Sequence, residues 1–248
     1  MGNINRNSLI SIFFVLVLVS CSTDMDNRES NLQESLNGDS VVLENVIACA
    51  ASNENDDMVS VFFYPREGAT NFRYFETENA TADKNDFSNY YELHLAVADV
   101  FNGYLAKFEV AFMEEKWVVV TFEEAGKTHV SNPIRIKHKT KPTEYLPENI
   151  RIDSEMPQMP QFTWEDGAYT DSAIYFQVIS NADRDLISGT YTYEKLFQFY
   201  ELENVVLNIT KGTPSALKEN SSYNFTLLSV SEDNWVNQFS EVSFIVNK

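Results

Sequence analysis

The sequence predicts an all-β fold of two sandwiches in tandem, and three observations carry that expectation. Apolar and aromatic runs of strand length recur with polar breaks between them, rich in the β-branched and ring residues that favour strands over helix. Beyond a polar N-terminal stretch about 200 residues remain, the length of two sandwiches of roughly 100 each. Between the halves, Lys137-His138-Lys139-Thr140-Lys141-Pro142-Thr143 is basic, polar and marked by proline, a composition that separates domains. The expected segments are therefore 1–20, 21–42, 43–140 and 141–248, with the domain boundary near Lys141.

The first segment has a short polar head with one charge, Arg6, then an apolar run from Leu9 to Val19, too short for a comfortable membrane span and matching a secretory signal. It closes on Leu18-Val19-Ser20-Cys21, which resembles the lipobox of bacterial lipoproteins. That resemblance implies that Cys21 is acylated and becomes the first residue of the mature chain, with the membrane as partner through a lipid anchor. Ser22 in place of aspartate points, by the same resemblance, to the outer membrane. The acidic Asp24 and Asp26 resemble the surface-export signal of Bacteroidota-type lipoproteins. Residues 22–40 are rich in Ser, Asn, Asp and Glu and read as a disordered stalk that extends to residue 42.

Charge excludes one class of partner. The chain carries 18 Lys+Arg against 37 Asp+Glu, a formal charge of −19, and no basic footprint for nucleic acid. With Cys21 consumed by lipid, Cys49 has no cysteine to pair with, and its setting in Val46-Ile47-Ala48-Cys49-Ala50 reads as a small buried thiol without reactivity. Stability is expected from packing alone.

In the third segment the runs Val59 to Tyr64, Phe72 to Phe75, Trp117 to Phe122 and Val130 to Ile136 are read as strands. Phe62-Phe63-Tyr64-Pro65 and Phe72-Arg73-Tyr74 look like strands B and C of an Ig-like sandwich, and Trp117 to Phe122 with Ala125-Gly126-Lys127 looks like an F–G hairpin. The tyrosine corner of that family lacks its tyrosine here, and Trp117 stands near its place.

In the fourth segment strands are read at Phe162 to Trp164, Ile174 to Ile179, Val205 to Ile209, Tyr223 to Val230 and Val242 to Val246. Leu217-Lys218-Glu219-Asn220-Ser221-Ser222-Tyr223 has the spacing of the E–F turn of fibronectin type III domains, and this half resembles that family. The resemblance implies structural roles for three residues: Leu217 in the core, Tyr223 as a tyrosine corner with a hydroxyl-to-backbone hydrogen bond, and Trp164 as the core tryptophan of strand B. Glu194 to Leu202 fits less well and is read as a C′–E crossover strand with a short helical turn.

No nucleophile elbow, zinc-binding His pair, phosphate loop or glycine fingerprint is present, so the reading is non-enzymatic and calls for no cofactor. His94, His129 and His138 have no ligand-like spacing. The acidic clusters, among them Asp183-Arg184-Asp185 and Glu232-Asp233, lack calcium-loop spacing and read as solvated charge. The candidate ligand-binding residues lie in the F–G loop, Ser231 to Gln238. There Trp235 would stack on a sugar ring while Asp233, Asn234 and Asn237 bind its hydroxyls, unless Trp235 folds back to cap the core. The expected function is a binding or spacer module, with polysaccharide capture as its most specific form by resemblance to accessory lipoproteins of polysaccharide uptake. The rival is a structural or assembly lipoprotein docking another envelope protein.

Overall fold

The computed structural model describes residues 30–111, 114–156 and 158–246, so the signal segment and Cys21 lie outside the described residues. Strands, numbered in chain order, are β1 (Val41–Val46), β2 (Ala48–Ser52), β3 (Met58–Phe63), β4 (Thr70–Thr77), β5 (Tyr90–Leu93), β6 (Val97–Val100), β7 (Leu105–Ala111), β8 (Trp117–Glu124), β9 (Lys127–Ser131) and β10 (Ile134–Arg135) in the first half. The second half contributes β11 (Glu144–Tyr145), β12 (Ile150–Asp153), β13 (Gln161–Trp164), β14 (Ser172–Asn181), β15 (Leu186–Thr192), β16 (Leu196–Gln198), β17 (Val205–Asn208), β18 (Ser222–Ser231) and β19 (Val236–Ile245).

Sheet 1 runs β1-β9-β8-β4-β5 with β10 also on β8, and sheet 2 runs β2-β3-β7-β6. Sheet 3 is β11-β19-β18-β14-β15-β17 and sheet 4 is β12-β13-β16. Among the described residues no sheet draws strands from both halves, apart from an isolated parallel bridge between Ala50 and Trp235, and the division falls between Arg135 and Glu144. Each half is an Ig-like sandwich of two sheets. The β8–β9 hairpin turns through Ala125 and Gly126, both at positive φ (51° and 72°), the geometry that matches the twist of paired strands.

Among the described residues four apolar clusters form, and alternation along the strands builds the three that lie within and between the sandwiches. In β3, Val59, Val61 and Phe63 enter the core of the first sandwich, whereas Phe62 points the other way. In β14, Tyr175 and Ile179 enter the core of the second sandwich, whereas Phe176 and Val178 point outward. The outward sets of sheets 2 and 3 meet, and with Ala51, Leu228 and Val230 they form a third core between the sandwiches. The central strands of sheet 3, β14 and β18, are thus covered on both faces, which is why Ile174 to Ile179 and Tyr223 to Val230 read as largely apolar runs.

The fibronectin-like features of the second sandwich are formed. Leu217 is buried, and the Lys218 backbone N–H donates to the Tyr223 hydroxyl oxygen at 2.8 Å, so in this corner the hydroxyl accepts. Trp164 fills the space between sheets 3 and 4, edge-on to Tyr175 at 5.4 Å and tilted against Phe225 at 6.2 Å. β16 pairs with β13, as a crossover strand should, but no helix follows it. In the first sandwich Trp117 stands on the outer face of sheet 1, its indole Nε1 donating to the Ala80 carbonyl at 3.2 Å, away from any tyrosine-corner position.

The stalk expectation is corrected over residues 30–42. Asn31 caps a one-turn helix, α1 (Leu32–Ser35), by accepting the Glu34 N–H at 2.8 Å, and β1 then pairs in parallel with β9. Leu32 is 0% exposed and Leu36 is buried beside it against Phe75, Tyr90, Val119 and Val130. A polar composition concealed two leucines at i and i+4, which share one helical face and cover the outer side of sheet 1.

Candidate functional site

The four F–G loop residues chosen as a ligand platform are consumed by the fold. Trp235 is 0% exposed and lies in the core of the first sandwich, although the chain places it in the second. Its Nε1 donates to the Lys141 carbonyl at 2.7 Å, and the neighbouring Asn234 carbonyl accepts the Ala50 N–H at 3.0 Å. Asp233 accepts the Arg135 N–H through its carbonyl at 2.9 Å and pairs with Lys137 through its carboxylate at 2.5 Å. The Asn234 side chain donates to the Pro133 carbonyl at 3.2 Å. Asn237 is buried within its own sandwich, donating to Asp171 at 2.9 Å and to Ser172 at 3.0 Å. Sugar stacking at Trp235 is therefore overturned: the ring caps a core, and the core belongs to the other sandwich.

A second tie closes the opposite end of the interface. Asn102, in the β6–β7 turn at φ 52°, donates to the Asp183 carbonyl at 3.1 Å and to the Asp185 carboxylate at 2.6 Å. Part of an acidic cluster read as solvated charge thus joins the sandwiches. Tyr104 adds to it by donating to the Ile209 carbonyl at 2.6 Å while accepting the Lys211 N–H at 2.7 Å.

Between the two ties the facing sheets leave a half-open cleft of about 820 Å³. Ile47, Cys49 and Phe62 of the first sandwich face Phe176, Leu228 and Phe239 of the second across it. Its size and apolar lining fall in the range of small-molecule sites. Charged side chains occur in the lining as well: Arg66, Lys107 and Arg184 with Glu44, Asp99 and Glu241. Glu241 is held by Arg184 and by the Thr226 hydroxyl, which donates at 3.1 Å.

Cys49 is half-buried in the cleft wall, and desolvation pushes its thiol up to about 12. It stays protonated at neutral pH, so it offers neither a nucleophile nor a metal-ligating thiolate. Among the described residues no group of three or more His, Cys, Asp or Glu is arranged to hold a metal ion.

A smaller annex of about 280 Å³ adjoins the cleft and shares Asn45, Ile47, Tyr64, Arg66 and Leu207 with it. Arg66 is fixed there by donating to the Asn45 side-chain oxygen at 2.7 Å, by an ion pair with Glu124 at 2.9 Å, and by lying 5.0 Å over the Phe122 ring. Lys211 supplies the other cation, its Nζ 5.5 Å from the Tyr104 ring.

No protein-family model and no curated protein matches the chain. Among solved structures it is similar to the FN1–FN3 domains of chicken CNTN1, at 12% identity over 85% of this chain and 69% of that chain, with a TM-score of 0.30. A cytokine receptor complex is similar at 9% identity over 82% of this chain and 97% of that one, with a TM-score of 0.29. These overlaps bring no function with them; the sandwich assignment stands on the strand pairing and the tyrosine corner.

Proposed function

We propose that this chain is a lipoprotein of the outer membrane, anchored through Cys21, whose body is a non-catalytic binding module. Its ligand site is the cleft between sheets 2 and 3. The observation that supports this reading is the 820 Å³ apolar opening in an interface otherwise tied at both ends. The sheets pack against each other through the third core and leave this cleft open beside it, a concave, largely apolar surface of the kind that ligands occupy. The facing Ile47, Phe62, Phe176 and Phe239 favour an apolar ligand part over a glycan along that stretch of the wall, because a buried polyol needs hydrogen-bond partners that ring and aliphatic surfaces do not supply.

A second reading, docking of another envelope protein, draws on β17, which ends sheet 3 and exposes Val206 (46%) and Leu207 (40%). The two are separated by titrating residues 22–248, which contain every described element, with the uncharged probe N-phenyl-1-naphthylamine. Saturable fluorescence enhancement that Cys49→Trp and Ile174→Trp each remove supports the cleft. No enhancement, or enhancement indifferent to both substitutions, overturns it.

A further inference from the structure

From the cleft and its annex together, and resting on the reading that the cleft is a ligand site, we infer that the ligand is a single-chain amphiphile with an anionic head. The tail occupies the slot between sheets 2 and 3, and the head lies in the annex beside Arg66 and Lys211.

The apolar part follows from the walls. The facing side chains of sheets 2 and 3 already meet in the third core, so the cleft beside it admits one thin layer of ligand along its walls rather than a globular one. Phe62 and Ile47 on one side and Phe176 and Phe239 on the other offer that layer only ring and aliphatic surface. A hydrocarbon chain lying along these side chains loses water from its surface without leaving a polar group of its own unpaired.

The charge of the head follows from the annex. Arg66 and Lys211 both line it, and no carboxylate does among the described residues. Arg66 is already paired with Glu124 behind the lining, so Lys211 carries the annex's positive charge in a chain of net charge −19. Lys211 is exposed and held over Tyr104, and the annex also presents the side chains of Asn45, Asn208 and Thr210, which can donate to an oxyanion. Because the annex and the cleft share five lining residues, one molecule can reach both.

The test uses residues 22–248 with palmitate, myristate and hexadecanol, each read by displacement of N-phenyl-1-naphthylamine. Palmitate is expected to displace the probe and to bind about 15-fold more tightly than myristate, the factor that two methylenes contribute at about fourfold each. Lys211→Glu should weaken palmitate at least tenfold and leave hexadecanol unchanged, whereas Cys49→Trp should remove both; circular dichroism of each variant confirms that it is folded. Equal affinity for palmitate and hexadecanol, or a Lys211→Glu chain that binds palmitate normally, overturns the placement of the head. If the naphthylamine binds in the cleft but no acyl chain displaces it, the amphiphile is excluded while the binding-module reading stands. If the naphthylamine itself fails to bind, both fall.

Discussion

Replacing Trp235 by alanine tests whether the two sandwiches unfold as one body. A tryptophan buries some 150–250 Å² of surface, worth roughly 4–6 kcal/mol at about 25 cal/mol per Å², and large-to-small core changes of this type cost about 3–5 kcal/mol. The ring is fully buried, so the full cost applies, and loss of its 2.7 Å bond leaves the Lys141 carbonyl without that donor. A value near 4 kcal/mol is the working figure. For a body in the 150–250-residue class each kcal/mol moves the melting temperature by about 2–4 °C, which gives a drop of roughly 8–16 °C. Scanning calorimetry of residues 22–248 should show that drop, with a single wild-type transition broadening or splitting as the sandwiches uncouple. Trp235→Phe should recover most of the loss. If Trp235→Ala melts within about 2 °C of wild type, as an exposed loop residue would, the reasoning fails, because surface changes stay within about 0.5 kcal/mol.

Three further outcomes are expected. Leu32→Ala should cost about 2–5 kcal/mol locally and expose residues 30–46 to limited proteolysis, whereas a disordered stalk would be cut equally in both chains. Tyr223→Phe should destabilise the second sandwich by about 1–2 kcal/mol in urea with unchanged m, since the Lys218 N–H loses its acceptor. Hydrogen bonds from Asn102 and then Asn181 hold the Asp185 carboxyl below the usual carboxylate range, and a bond from Lys141 does the same for Asp171. A depressed folded value means that the unfolded chain binds more protons in that window, so this stabilisation is complete above the ordinary Asp value of about 3.9 and is lost as pH falls through the folded values. Urea midpoints should therefore fall below about pH 4, less steeply in Asn102→Ala, and show no such decline from these groups between pH 5 and 8.

Much of each sandwich was legible because its signals are local. The β8–β9 hairpin announced itself through Ala125-Gly126 between apolar runs, and the Leu217 to Tyr223 spacing gave the corner that Lys218 and Tyr223 close. The candidate site was not legible in the same way. Asp233 and Asn234 looked like sugar ligands because they are polar and flank a tryptophan, yet the same donors and acceptors serve equally well to pair with the backbone of a neighbouring domain. A signal was present in the runs Ile174 to Ile179 and Tyr223 to Val230, where outward-facing Phe176, Val178 and Leu228 are too apolar for a face left in water.

The sequence by itself determined the all-β class and many of the strands, β3, β8, β14 and β18 among them, and it marked Trp164, Leu217 and Tyr223, which are buried in the second core, since period-two alternation and turn chemistry act within a few residues. Only the tertiary structure decided that sheet 2 faces sheet 3, that Trp235 crosses into the other sandwich, that Leu32 and Leu36 cover sheet 1, and that a cleft remains between the ties. Hydrophobic burial is non-directional: a strand's composition states that a face must be covered, but which surface covers it depends on shape and contact far along the chain.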